Sequence, residues 1–160
     1  MKKSLFAIVV IMMVVVLFSA STCNKTTVNP NVPIVNIDIS IDPNSTLFYD
    51  LNIVGGWTYM RGKPGVYVPP GSRGVIVYRV EMNRFLAYER TPPNEPARCC
   101  DDITKICTAL VIDDYYPFVV DTCTNNKYNI LDGSLFSGAG EFPLIQYRCD
   151  YDGDMLHIYN

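Results

Sequence analysis

Cysteine is the metal-binding and nucleophilic residue that this chain supplies in number, whereas histidine is nearly absent. The 160 residues contain six cysteines and one histidine, His157. Thiols ligate metals, exchange disulfides or form structural disulfide bonds. One histidine cannot provide two imidazole ligands. It is also the single candidate for the histidine of a Ser-His-Asp triad, which disfavours such a triad. Beyond Cys23, the cysteines are Cys99, Cys100, Cys107, Cys123 and Cys149.

The N-terminus has the parts of an export signal. Lys2 and Lys3 form a positive start, residues 5–18 are an unbroken apolar run, and small residues precede Cys23. The run is shorter than a membrane-spanning helix, which needs about 20 residues. An apolar run followed by small residues and a cysteine resembles the lipobox of bacterial lipoproteins. We therefore predict a signal peptide over residues 1–22 and acylation of Cys23; an uncleaved anchor and ordinary secretion are the alternatives.

The charge balance argues against a nucleic-acid partner. Cleavage removes two of the 13 basic residues and none of the 16 acidic ones, so the mature net charge is 11 − 16 = −5. Phosphate binding needs clustered Lys and Arg, and the sequence has no such cluster. Asn24 stands where an aspartate is associated with inner-membrane retention, so we expect an outer-membrane anchor that faces the periplasm.

Strand patterns dominate the mature chain. Residues 23–33 carry the acylated cysteine and a polar, proline-containing tether, and residues 34–160 form one domain. Runs rich in Val, Ile, Tyr and Phe alternate with Gly, Pro and Asn-Asp clusters, and no sustained helical stripe is present. The fold class is all-β, a sandwich or small barrel. The predicted strands are residues 34–41, 47–53, 57–60, 66–68, 74–80, 85–89, 107–112, 118–121, 127–131, 145–151 and 155–159.

Residues 121–147 have the sequence DTCTNNKYNILDGSLFSGAGEFPLIQY, which resembles the second half of the Rieske iron–sulfur fold. That signature runs C-P-x-H-G-S-x-F, then a D-G turn, then G-P-A and P-L-x-x-Y. The D-G turn at 132–133, Gly138 and residues 143–147 align with it without a gap. Residues 71–96 are similar to the Rieske hairpin that leads into the first ligand loop. The resemblance implies a Rieske-like fold of stacked antiparallel sheets, as a small barrel-like sandwich.

In the same alignment, the four positions of the cluster ligands are occupied by other residue types. These residues are Pro92, Asn94, Asp121 and Thr124. A Rieske cluster needs two thiolates and two imidazoles, and none of these side chains replaces one. We therefore predict that the [2Fe–2S] cluster is absent, and we expect neither a metal nor catalytic residues. The predicted function is a non-catalytic binding or structural module of the cell envelope. It would be held to the membrane by acylated Cys23, with another envelope protein as a possible partner.

A redox protein is the alternative function. Either a cluster is retained through unusual ligands, or the cysteines exchange disulfides. An all-cysteine cluster at Cys99, Cys100, Cys107 and Cys123 is disfavoured because two of these ligands are adjacent and an export compartment is oxidising.

The resemblance also suggests how the cysteines pair. Some cluster-bearing Rieske proteins have a disulfide between their two ligand loops, and Cys123 matches its second-loop partner. Cys99 or Cys100 would bond Cys123, and Cys107 would bond the other of the two. Cys149 is expected to be a free thiol that points into the core. The sequence leaves other pairings open.

Two further patterns have structural interpretations beside functional ones. Residues 150–154, DYDGD, are similar to the start of a calcium loop, but Asp-Gly between alternating strands favours a hairpin turn. Residues 115–118, YYPF, are either an exposed aromatic cluster for a partner or a packed loop. His157 stands between two apolar strand residues and is expected to point away from them.

Overall fold

In the computed structural model, the described residues 29–160 form ten strands in two antiparallel sheets. The larger sheet has the order β1-β10-β9-β4-β3-β2, and the smaller has the order β5-β6-β7-β8. The prediction of an all-β fold is confirmed. The strands are β1 Asp38–Ile41, β2 Trp57–Tyr59, β3 Val75–Glu81, β4 Arg84–Glu89, β5 Val111–Ile112, β6 Phe118–Asp121, β7 Asn126–Asn129, β8 Leu135–Ser137, β9 Gln146–Tyr151 and β10 Leu156–Tyr159.

The N-terminal predictions lie mostly outside the described residues. These include the signal peptide and Cys23. Within residues 29–160, no helix has both the length and the apolar character needed to cross a membrane. The last residues of the predicted tether pack on the domain: Val32 is buried, and Asn29 Nδ2 donates a hydrogen bond to the Pro93 carbonyl at 2.8 Å.

β3 contributes residues to two separate hydrophobic cores, one on each face of the strand. Val75 and Val77 face one core, while Ile76 and Tyr78 face the other, as the period of two in a strand requires. Because both faces are covered, the strand is apolar at successive positions rather than alternating. The first core also holds Ile37, Ile39, Ile41, Phe48, Leu51, Met60, Phe85, Ala87, Tyr147, Leu156 and Ile158.

The second core lies between the two sheets and fixes the smaller one against β3 and β4. Val119 on β6 and Tyr128 on β7 are fully buried there, together with Tyr88 from β4. The smaller sheet carries the second of the two loops that resemble Rieske ligand loops. Its packing therefore determines how the two loops meet.

Three strand predictions need correction. Residues 47–53 are not a strand, because Thr46–Asn52 form two successive 3₁₀ turns, with a kink at Phe48, that bury Phe48 and Leu51. Residues 66–68 form no strand, and only the end of the predicted strand 107–112 is one. β8 was not predicted, since it is short and mostly exposed.

The turn between β9 and β10 is the hairpin that the Asp-Gly pattern predicted. Asp152 Oδ1 accepts backbone hydrogen bonds from Asp154 N at 2.9 Å and Met155 N at 2.7 Å. The carboxylate thereby stabilises the turn, and Tyr151 pairs with Leu156 across it.

Candidate functional site

The two loops that were predicted to match Rieske ligand loops lie side by side. The first, residues 90–100, follows β4 and ends in the 3₁₀ turn Pro96–Cys99. The second, residues 121–126, joins β6 to β7. Cys99 and Cys123 form a disulfide between the loops, with Cα atoms 5.5 Å apart. We call these two loops, together with residues 138–142 beside them, the tip.

The structure places the other cysteines as follows. Cys100 and Cys107 form a second disulfide, with Cα atoms 3.9 Å apart, which closes residues 101–106 into a small ring. Within residues 29–160, Cys149 has no disulfide partner, and it packs partly buried against the first core. Burial raises the pKa of the Cys149 thiol to about 12, with the Asp150 charge a smaller cause. A thiol with that pKa is almost wholly protonated near neutral pH and is a poor nucleophile.

Asn94 ties the first loop to a segment from elsewhere in the chain. Its Oδ1 accepts hydrogen bonds from the backbone N–H groups of Glu141 at 2.8 Å and Phe142 at 3.0 Å. Its Nδ2 donates to the Phe142 carbonyl and to the Tyr128 hydroxyl, each at 2.9 Å. The buried amide is therefore fully used in holding the tip together.

Asp121 and Thr124 shape the second loop in the same way. Asp121 Oδ1 accepts a hydrogen bond from Cys123 N at 3.0 Å, and Oδ2 accepts one from Thr124 Oγ1 at 2.6 Å. Thr124 Oγ1 in turn accepts a hydrogen bond from Asn126 Nδ2 at 2.8 Å. Such local side-chain-to-backbone bonds are an ordinary means of closing a turn.

These residues do not fit a Rieske cluster. Pro92 is buried and has no ligating atom in its side chain, and Asn94, Asp121 and Thr124 offer oxygen or amide nitrogen instead of thiolate or imidazole. His157 lies outside the tip on β10, where its Nε2 is 2.9 Å from Asp38 Oδ1 in an exposed pair. Within residues 29–160, no imidazole is placed to ligate iron at the tip.

A cleft of about 570 Å³ opens between the loops. A Cβ atom on Gly140 would lie 2.5 Å from Asn94 Nδ2, and one on Gly138 would lie 2.1 Å from Asn126 Oδ1. Side chains at these glycines would collide with the asparagines that form the cleft floor. The cleft is lined by Asn31, Asn94, Glu95, Arg98, Cys123, Thr124, Asn125, Asn126, Ala139, Gly140, Glu141 and Phe142.

Beneath the first loop lies a buried carboxylate that the sequence did not reveal. Glu89 Oε2 accepts hydrogen bonds from Ser72 Oγ at 2.6 Å and from Tyr147 OH at 2.7 Å. Its Oε1 accepts from Thr91 N at 2.8 Å and from Arg73 N at 2.9 Å. Burial, followed by the Glu89 charge, raises the pKa of Tyr147. These bonds join the end of β4 and Thr91 of the first loop to residues 72–73 and to Tyr147 on β9.

Residues 115–118 form an exposed aromatic surface on the smaller sheet. Tyr115 is 77 % exposed, and Tyr116 is 54 % exposed although its hydroxyl contacts that of Tyr78. The Phe118 ring lies 4.5 Å, centroid to centroid, from the exposed ring of Phe136.

No family model matches the chain, and no curated protein matches it.

Proposed function

We propose that this chain is a membrane-anchored envelope lipoprotein whose Rieske-like domain has no [2Fe–2S] cluster and serves as a non-catalytic binding or structural module. The anchor is acylated Cys23, and the module presents the tip to a partner in the envelope. Fold alone does not supply function when the metal ligands are absent, so the proposal depends on the site.

One observation carries the proposal. The two loops that align with Rieske ligand loops meet at the Cys99–Cys123 disulfide, while the aligned ligand positions hold Asn94, Asp121 and Thr124 in hydrogen bonds within the tip. These hydrogen bonds join Asn94, Asp121 and Thr124 to other groups of the tip, which supports loops that keep their positions without a metal. They also leave the cleft between the loops as a polar surface that is open to solvent.

Iron analysis of the lipidated protein tests the absence of the cluster. We expect protein purified from membranes to be colourless and to contain far less than one iron atom per chain. A [2Fe–2S] protein contains about two iron atoms per chain and absorbs visible light. A brown preparation with nearly stoichiometric iron would overturn the proposal in favour of electron transfer.

Acylation of Cys23 is tested by Cys23→Ser. The variant should not incorporate a radiolabelled fatty acid, and it should move from the membrane fraction to the soluble fraction if the anchor is the acyl chains. Full-length wild-type protein is the control. Membrane retention of Cys23→Ser at the wild-type level would instead indicate an uncleaved signal anchor.

The role of the cleft is tested with two matched charge reversals. Arg98 at the tip and Arg84 at the turn between β3 and β4 each form an exposed salt bridge with a glutamate three residues earlier, Glu95 and Glu81. Arg98→Glu should reduce crosslinking of the lipidated protein to its membrane partner at least tenfold, whereas Arg84→Glu should leave it unchanged. Equal effects of the two variants would place the partner elsewhere.

A further inference from the structure

Going beyond the proposed function, we infer that reduction of the Cys99–Cys123 disulfide converts the tip into a site for one zinc-like divalent cation. The ligands are the two thiolates and the carboxylate of Asp121. This ligand set contains no histidine and differs from the four-residue ligand set of an iron–sulfur cluster. The site exists only when the disulfide is open.

The donor atoms already lie near the spacing that zinc requires. One ligand atom from each of Cys99, Asp121 and Cys123 lies within 4.8 Å of the others. Cys99 Sγ is 3.6 Å from Asp121 Oδ1 and 3.9 Å from Oδ2. Tetrahedral zinc, with bonds of about 2.3 Å to sulfur and about 2.1 Å to oxygen, separates adjacent donors by about 3.6–3.8 Å. The two sulfur atoms, which are bonded to each other in the oxidised protein, have to move apart.

The charge at Asp121 favours a cation. The side chain is 1 % exposed, and its hydrogen bonds come from a backbone N–H and a hydroxyl, which are both neutral. No Lys or Arg within residues 29–160 forms a salt bridge with it. The Arg73 guanidinium attracts Asp121 at longer range but donates its hydrogen bonds to the Pro96 and Thr108 carbonyls and to Cys100 Sγ. A buried charge of this kind is best compensated by pairing or by coordination to a metal.

The surroundings suit a metal that enters from solvent. Cys123 is exposed and lines the cleft, whereas Cys99 and Asp121 are buried, so the open side of the site faces the cleft. The fourth position on the metal would be occupied by water or by a donor from a solute. Thr124 Oγ1 and Cys123 N hold the carboxylate in orientation, as outer partners commonly do at metal sites.

The reaction is balanced with a phosphine as the reductant. The phosphine donates two electrons to the S–S bond, water supplies the oxygen of the phosphine oxide, and the two protons from water produce two thiols. Binding of the cation then releases both thiol protons, because the thiolate is the ligand. In the envelope, a dithiol protein that becomes a disulfide would supply the same two electrons and two protons.

The experiment compares one protein in two redox states. Full-length protein in detergent carries Cys100→Ala and Cys107→Ala, so that Cys99–Cys123 is the one disulfide left within residues 29–160. We titrate Co²⁺ and then Zn²⁺ before and after phosphine reduction, and we follow thiolate-to-Co²⁺ absorption and the number of metal ions bound. The reduced protein should bind one ion per chain, and zinc should displace cobalt. The oxidised protein should bind neither at the same site.

Asp121→Asn tests the third ligand while keeping both cysteines. Once its disulfide has formed, this variant is reduced and titrated in the same way, and Trp57 fluorescence reports whether it remains folded. We expect zinc affinity to fall at least tenfold. Failure of the folded, reduced parent to bind cobalt or zinc would overturn the inference, as would wild-type affinity in Asp121→Asn. Iron in the protein as purified would instead overturn the proposed function, so the two failures are distinguishable.

Discussion

Replacing both Cys99 and Cys123 by alanine should lower the free energy of unfolding by about 3 kcal/mol. Their disulfide closes a loop of 24 residues. In the chain-entropy description, a cross-link removes loop-closure entropy from the unfolded chain, and this loop length corresponds to about 3 kcal/mol. Alanine is preferred to serine, since a hydroxyl at residue 99 would gain a hydrogen bond to Asp121, whose Oδ1 lies 3.6 Å from Cys99 Sγ.

The second disulfide is a matched control for this perturbation. Cys100 and Cys107 are only 7 residues apart in sequence, for which the same relation gives about 2 kcal/mol. Replacing this pair by alanine should therefore cost about 1 kcal/mol less than replacing Cys99 and Cys123. The comparison separates the effect of loop length from the general effect of removing two cysteines.

Urea unfolding followed by the fluorescence of Trp57, the single tryptophan, measures both losses. With an m value of about 1.5 kcal/mol/M, a loss of 3 kcal/mol lowers the midpoint by about 2 M urea. Wild-type protein unfolded in the presence of reductant should lose at least as much as either double variant. An unchanged midpoint for the Cys99 and Cys123 variant, or a larger loss from the control pair, would refute the reasoning.

Asn94→Ala should lower the free energy of unfolding by about 2 kcal/mol, because the N–H groups of Glu141 and Phe142 lose their acceptor. Thermal melting of this variant, compared with Asn94→Asp, which keeps an acceptor, measures the difference. Gly140→Ala should cost about 1–3 kcal/mol through its contact with the Asn94 amide, and an unchanged melting temperature would contradict that contact. Cys149 should be alkylated about a thousandfold more slowly in the folded than in the unfolded protein at pH 8. The reason is that burial raises the pKa of the Cys149 thiol from 9.0 to about 12 and keeps it protonated. Mass spectrometry of iodoacetamide-treated protein gives both rates.

Strand positions were predictable where β-branched and aromatic residues stand between strong turn residues. β6 was predicted with its observed bounds, and β3 and β4 to within one residue. Residues 47–53 misled because their apolar content suits a strand as well as a 3₁₀ helix. What decides between them is the burial of Phe48 and Leu51 against the first core, which is a tertiary effect.

The sequence predicted which two loops a disulfide would join, but it did not predict the contacts within the tip. The resemblance to Rieske ligand loops implied a disulfide from Cys99 or Cys100 to Cys123, and in the structure Cys99 forms it. The choice between Cys99 and Cys100 could not be read from the sequence, since adjacent residues point in different directions according to the local backbone. The 3₁₀ turn Pro96–Cys99 decides it by burying Cys99 beside Asp121. Glu89 gave no signal, because a strand-end glutamate is usually exposed.

Under the proposed relation to Rieske domains, three sets of interactions hold the tip in place of a cluster. Of these three, only the disulfide is broken by a reductant. Asn94 holds the first loop to residues 141–142, and Asp121 closes the second loop on itself; neither set of hydrogen bonds involves sulfur. The Cys99–Cys123 bond alone joins the two loops covalently. Reduction therefore frees the sulfur atoms to separate while each loop keeps its shape and Asp121 stays in place. The Asp121 carboxylate is already positioned beside the two thiols before a cation binds. Because a carboxylate is costly to bury, having it in place lowers the entropic cost of ordering the ligands around the cation.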